Sequence, residues 1–130
     1  MTNNLVITLA GGSRGLGKEV LNEFAKKGFE KAAFHRAEKI PSLTNYYLDL
    51  DLDDSLENLE ENLFFLLDQK KYDLYSIHFL SGGGLKINFE DYSYKSCNKV
   101  FFHNLTFQSC ITSFLFNFAK KSTKKIEMGS

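Results

Sequence analysis

Tryptophan is absent from this 130-residue chain, proline occurs once and cysteine twice. Two thiols, Cys97 and Cys110, do not make a disulfide scaffold, and no Cys/His pair has the spacing of zinc ligands. Reduced thiols point to the cytoplasm as the expected compartment. Sixteen Lys and Arg balance sixteen Asp and Glu, so there is no net charge with which to hold nucleic acid or an anionic membrane by field alone. No window approaches the ~18 consecutive apolar residues of a membrane span, and Met1 to Asn4 carry no basic segment ahead of an apolar one. The three histidines, His35, His78 and His103, are scattered with no third ligand near, so no metal is expected.

What remains has the composition of a single globular domain over residues 1–130, with 43% hydrophobic and 25% charged residues. Thirteen Phe and six Tyr are a heavy aromatic load, to be buried against each other or against a partner. Asn4 to Leu9 is a β-rich apolar run that enters Ala10-Gly11-Gly12-Ser13-Arg14-Gly15-Leu16-Gly17, a strand followed by a glycine-rich turn. Leu16, Val20, Leu21, Phe24 and Ala25 then share one face at helical spacing, with Lys26 and Lys27 in the last turn and Gly28 as the left-handed residue after it.

Further strands are predicted at Lys31 to His35, Asn45 to Leu48 and Asp73 to Leu80, and Lys125 to Met128 begins a fifth. Between the third and fourth lies a helix capped by Asp54 or Ser55, with Glu57 in its first turn and a stripe of Leu56, Leu59, Leu63, Leu66 and Leu67. A long helix from about Ser93 to Lys120 carries Val100, Phe101, Cys110, Ile111, Phe114, Leu115 and Phe118. Strands separated by crossovers imply right-handed βαβ units in a parallel sheet, an α/β arrangement. Ligands bind such sheets at the carboxyl ends of the strands, where both glycine-rich segments, 11–17 and 82–84, lie.

The first glycine turn offers backbone N–H groups and the positive end of a helix dipole to a phosphate. Gly12-x-x-x-x-Gly17-Lys18 has most of a P-loop, but Glu19 stands where that loop needs a hydroxyl for magnesium. Gly11-x-x-x-Gly15-x-Gly17 has the spacing of a dinucleotide loop.

Ala10 to Gly17 resembles the TGxxxGxG cofactor loop of the short-chain dehydrogenase/reductase family, in its GGSRGLG form. The resemblance covers nearly all of the chain and the N-terminal half of a typical member, and it implies a Rossmann-like, doubly wound but partial parallel sheet of about five strands in the order 3-2-1-4-5. It implies that Gly11, Ser13, Arg14, Gly15, Leu16 and Gly17 line a nicotinamide dinucleotide. The family's adenine-contacting carboxylate falls on Asp49, followed by Leu50, or alternatively on Asp51. Its NNAG falls on Phe79-Leu80-Ser81-Gly82, where Ser81 and Gly82 keep the small character and Phe79 and Leu80 replace two amides. Asn104 resembles the helix asparagine of the proton relay, and Ser130 falls at or one residue before the catalytic serine, unless Met-Gly-Ser is simply where the reading ends. Ala10 replaces the family's threonine, so a looser loop is expected.

An acidic residue about twenty positions past the loop would bind an NAD ribose, and an arginine would take the extra phosphate of NADP. Arg36 stands nineteen residues beyond Gly17 and Arg14 lies within the loop, which favours NADP(H) over NAD(H), with Glu38 the residue that could reverse the preference. The family transfers hydride to or from a carbonyl or alcohol, using a Tyr and a Lys spaced as YxxxK. Tyr46, Tyr47, Tyr72, Tyr75, Tyr92 and Tyr94 have no lysine four residues on, so the pair would lie past Ser130 and the chain is expected not to turn over alone. In intact members the long helix forms part of a dimer interface, so a homo-oligomer through residues 100–118 is expected. The other reading is a non-catalytic nucleotide-binding or protein-interaction module.

Overall fold

A computed structural model describes residues 4–11, 15–36, 39–40, 43–80, 90, 93–122 and 128–129. Strand β1 (Asn4–Leu9) is buried along nearly its whole length, as a central parallel strand covered on both faces must be. Helix α1 (Gly15–Lys26) follows and ends at Gly28, whose φ of +82° is the left-handed turn expected there. Strands β2 (Glu30–His35) and β3 (Thr44–Tyr47) come next, then helix α2 (Ser55–Phe64), continued by a π-helical turn over Phe65–Gln69. After β4 (Asp73–Phe79), the long helix comprises α3 (Tyr94–Phe101), a second π-helical turn (Phe102–Thr106) and α4 (Phe107–Ser122), and β5 is Met128–Gly129. The sheet is parallel throughout, in the order β3-β2-β1-β4-β5.

Alternation along the strands sends Leu5, Ile7, Leu9, Ala32, Phe34, Leu74 and Ile77 to one face, where they meet Leu59, Leu63 and Leu67 of the α2 segment and Phe107, Ile111 and Leu115 of α4. The other face receives α1. Phe24 of that helix packs within 5.8 Å of the Tyr75 and His78 rings. Tyr75 is an extra residue in β4: Leu5 pairs with Leu74 and Val6 with Ser76. Its ring sits 4.6 Å from Phe29.

β2 and β3 are parallel neighbours joined by residues 36–43 alone. A four-residue β3 makes this short return sufficient, and Asn45 ties it down. Its Nδ2 donates to the carbonyls of Leu43 (2.6 Å) and Ile40 (2.9 Å), and its Oδ1 accepts the Ile40 N–H (3.2 Å). His35 Nε2 lies 2.8 Å from the same Oδ1, and because that oxygen can only accept, the imidazole is protonated at Nε2.

Three local expectations are corrected. Asp54 stands at the N-cap of α2 without a side-chain cap bond, whereas Ser93 caps α3 in a reciprocal pair with Ser96. Leu16, placed by periodicity on the buried face of α1, is 69% exposed, because it lies in the first turn where the chain has only just left the end of β1. In the long helix, Phe101 and Cys110 are exposed and Phe107 is fully buried. The π-helical turn is the cause: the Phe107 N–H bonds to the Phe102 carbonyl, five residues back, so the apolar face shifts phase there. Phe102 and Phe107 accordingly share a face, with ring centroids 6.3 Å apart.

Candidate nucleotide site

Parallel strands all end at one edge of the sheet, and here the first residue past each of four strands lines one shared cleft. Ala10 after β1, Arg36 after β2, Leu48 after β3 and Leu80 after β4 line a cleft of about 230 Å³ together with Asp49, Leu50, Asp51 and, from the long helix, His103. Backbone bonds prolong the ladder into this rim: Ala10 donates to the Phe34 carbonyl (2.7 Å), Leu48 to His35 (3.0 Å) and Leu80 to Leu9 (2.9 Å).

The glycine turn is braced from below. Thr8, fully buried on β1, donates its hydroxyl to the Gly11 carbonyl at 2.8 Å. That bond ties Gly11 to β1, whereas the looser loop expected from Ala10 falls on residues that include 12–14, outside the described residues. Ala10 itself has φ +65°, a left-handed conformation that costs a residue with a Cβ roughly 1–2 kcal/mol. Gly11 lies against Leu80, since a Cβ there would fall 3.0 Å from Leu80 Cδ1 and 3.2 Å from its Cβ. Gly15, at φ +62°, opens α1 with no atom of the described residues beyond its own turn within 4 Å of where a Cβ would stand, and Gly17 is buried.

The acidic segment after β3 divides into an inner and an outer carboxylate. Asp49 is the inner one, its side chain 16% exposed. Its Oδ1 accepts the Asp51 N–H at 3.0 Å and lies 3.5 Å from the Arg36 guanidinium, which is itself 65% exposed. Asp51 is the outer one and bridges to the helix: its Oδ1 is 3.4 Å from Lys99 Nζ and 3.3 Å from His103 Nε2. Both sequence alternatives thus line the cleft, with different partners.

Gly11 lies just past β1 against Leu80, Gly15, Leu16 and Gly17 open α1, and Arg36, Asp49, Leu50 and Asp51 stand around the cleft. Ser13, Arg14, Ser81, Gly82 and Ser130, with Glu38, lie outside the described residues. Asn104 sits in the π-helical turn, exposed, its Nδ2 donating to the Val100 carbonyl at 2.9 Å, and it is not among the residues lining the cleft. Sequence reasoning missed Thr8, Lys99 and His103. The signal for the last was obscured because reading 93–120 as one regular α-helix gives the wrong phase on either side of residue 102. Among the described residues, no three His, Cys, Asp or Glu side chains are grouped to hold a metal ion, and no helix is long and apolar enough to cross a membrane.

No protein-family model matches the chain, and no curated protein does. Solved structures do. A short-chain dehydrogenase from Leptospira borgpetersenii with bound NAD+ superposes with a TM-score of 0.77 at 17% identity, over 98% of this chain and 50% of that one. A 4-hydroxyisoleucine dehydrogenase complexed with NADH gives a TM-score of 0.75 at 22% identity, over 96% of this chain and 55% of that one. ElxO with NADP bound gives 0.72 at 19% identity, over 98% and 55%. The chain spans about half the length of these structures, and over that span its fold is the fold of the short-chain dehydrogenases.

Proposed function

We propose that this chain is the cofactor-binding portion of a short-chain dehydrogenase/reductase-like oxidoreductase and that it holds NADP(H) in preference to NAD(H). The observation that carries this reading is the convergence of the four strand ends on one cleft, beside a glycine turn that opens a helix. The residues present fit such a cofactor. Among the described residues, none crowds Gly15 at the start of α1, where a phosphate can approach backbone N–H groups, and the exposed Leu16 stands beside it. Asp49 and Asp51 supply acceptors for a base or ribose. Arg36 has five donors and meets Asp49 at 3.5 Å, which leaves donors for a 2′-phosphate. Arg14 and Ser13 in the loop, and Ser81 and Gly82 after β4, complete the proposed set.

When bound, the cofactor supplies hydride chemistry toward a small carbonyl or alcohol. Asn104 and Ser130 are the proposed contributors from this chain to the reacting end. With no YxxxK within its 130 residues, the chain alone is proposed not to turn over. A second reading, an interaction module or homo-oligomer, is favoured by one observation: Phe101, Leu105 and Phe116 on the long helix are all exposed.

Titration of the purified chain with NADPH and NADH tests the first reading. Binding of both, tighter for NADPH, is expected, with Arg36→Ala weakening NADPH about tenfold and leaving NADH unchanged. A folded chain that binds neither dinucleotide overturns the proposal, and an Arg36→Ala variant that keeps full NADPH preference overturns the assignment of Arg36.

A further inference from the structure

Arg36 carries the proposed preference for NADP(H), yet little in its own surroundings aims it. Its side chain is 65% exposed and meets Asp49 at 3.5 Å, and an exposed ion pair holds a long side chain only weakly. The residue before it is the rigid one. His35, 5% exposed at the end of β2, accepts the Leu48 N–H on its carbonyl at 3.0 Å and donates from Nε2 to Asn45 Oδ1 at 2.8 Å. Among the described residues its Nδ1 has no partner, so the bond to Asn45 is the one that fixes the ring.

Asn45 holds more than the imidazole. In the register of β2 and β3 it pairs with Ala33, which places it on the same sheet face as His35, opposite the stacked rings of Phe34 and Tyr46. Both ends of its amide are used: Oδ1 accepts from His35 and from the Ile40 N–H, and Nδ2 donates to the carbonyls of Ile40 and Leu43. One side chain therefore ties the end of β2, the middle of the return and the entry to β3. An aspartate has the same shape but no N–H, and would turn an oxygen toward two carbonyl oxygens.

We propose that Asn45 is a specificity-determining positioning residue: by clamping His35 and the 36–43 connection to β3 it sets the direction in which Arg36 leaves the sheet, and with it the preference for a dinucleotide that carries a 2′-phosphate. This rests on the reading of the cleft as an NADP(H) site. Asn45 is not among the residues lining that cleft and acts only through Arg36. Without the clamp the arginine has to be ordered at the moment of binding, and that cost falls on the ligand that uses it.

The test titrates NADPH and NADH into the wild-type chain, Asn45→Ala, Arg36→Ala and the double variant, with thermal melts as the check on folding. Asn45→Ala is expected to weaken NADPH about fivefold and NADH less than about twofold, and to weaken NADPH no further once Arg36 is replaced, because both changes act through one guanidinium. Asn45→Asp keeps the acceptor for His35 and loses the donations to Ile40 and Leu43; it is expected to lower the NADPH preference as well, and it carries the test if the alanine variant does not fold. An unchanged ratio of NADPH to NADH affinity in a folded Asn45 variant, an equal loss for both dinucleotides, or full additivity with Arg36→Ala overturns the inference while leaving the proposed cofactor site standing. A wild-type chain that is folded yet binds neither dinucleotide overturns both.

Discussion

Thr8→Val isolates the brace beneath the glycine turn. The substitution keeps the shape of a fully buried side chain and deletes one hydroxyl, whose 2.8 Å bond to the Gly11 carbonyl fixes the first glycine relative to β1. A lost intramolecular hydrogen bond costs about 0.5–1.5 kcal/mol, and a carbonyl left without a partner about 1–3 kcal/mol if water cannot reach it. Gly11 is partly exposed, so water takes up some of that, and the added methyl recovers up to ~0.8 kcal/mol of apolar burial. The net expectation is about 1 kcal/mol, or roughly 3–5 °C in Tm for a domain of this size. The larger effect is expected in binding, because the Gly11 to Gly17 turn is the part proposed to meet phosphate. Calorimetric melts paired with NADPH titrations of Thr8→Val and Thr8→Ser provide the assay. Serine keeps the bond and leaves a small void, so it should lose stability to a similar degree but keep its affinity, whereas valine should lose both. Equal NADPH affinity in Thr8→Val and wild type would refute the reasoning, since the hydroxyl would then position nothing the cofactor touches.

The π-helical turn makes a paired prediction about the core: Phe107→Ala should cost about 3–5 kcal/mol and Phe101→Ala less than about 0.5 kcal/mol in urea denaturation, and equal losses would mean that the helix keeps a regular phase. His78 provides a pH dependence. Burial against Phe24 lowers its pKa below the ordinary 6.5, so the unfolded chain takes up the proton first as pH falls. Stability should therefore be level well above the ordinary value and decline as pH drops through it, and His78→Gln should flatten the decline between about pH 7 and about pH 5. An unchanged slope in His78→Gln would place its origin elsewhere.

The strands were legible because their burial leaves simple marks. β1 is an unbroken apolar run ahead of glycine, and Leu59, Leu63 and Leu67 keep a helical interval, so element order and a parallel sheet could be read from the residues, while the order of the strands came with the family resemblance. Arg36 and Asp49 could be placed at the site because position relative to a strand end survives small errors of boundary. Thr8 could not: a β-branched residue in a strand reads as sheet packing, and its partner is a backbone carbonyl with no sequence signature. Phe107 and His103 were hidden for a different reason. A single extra residue in a helical turn changes which side chains face inward, and periodicity assumes there is none.

The register of the sheet also sets an order of assembly. Ala32 pairs with Thr44, a short way along the chain, Leu5 pairs with Glu30 at about twice that separation, and Leu5 pairs with Leu74 only after about half of the chain has been traversed. Closing long loops costs more entropy and slows the search. β1, β2 and β3 are therefore expected to associate first and β4 last, an order that amide-exchange labelling during refolding would read out. Until β4 docks, the buried edge of β1 is an unpaired apolar strand, and the cleft, which needs Leu80 as its fourth wall, has not yet come into existence.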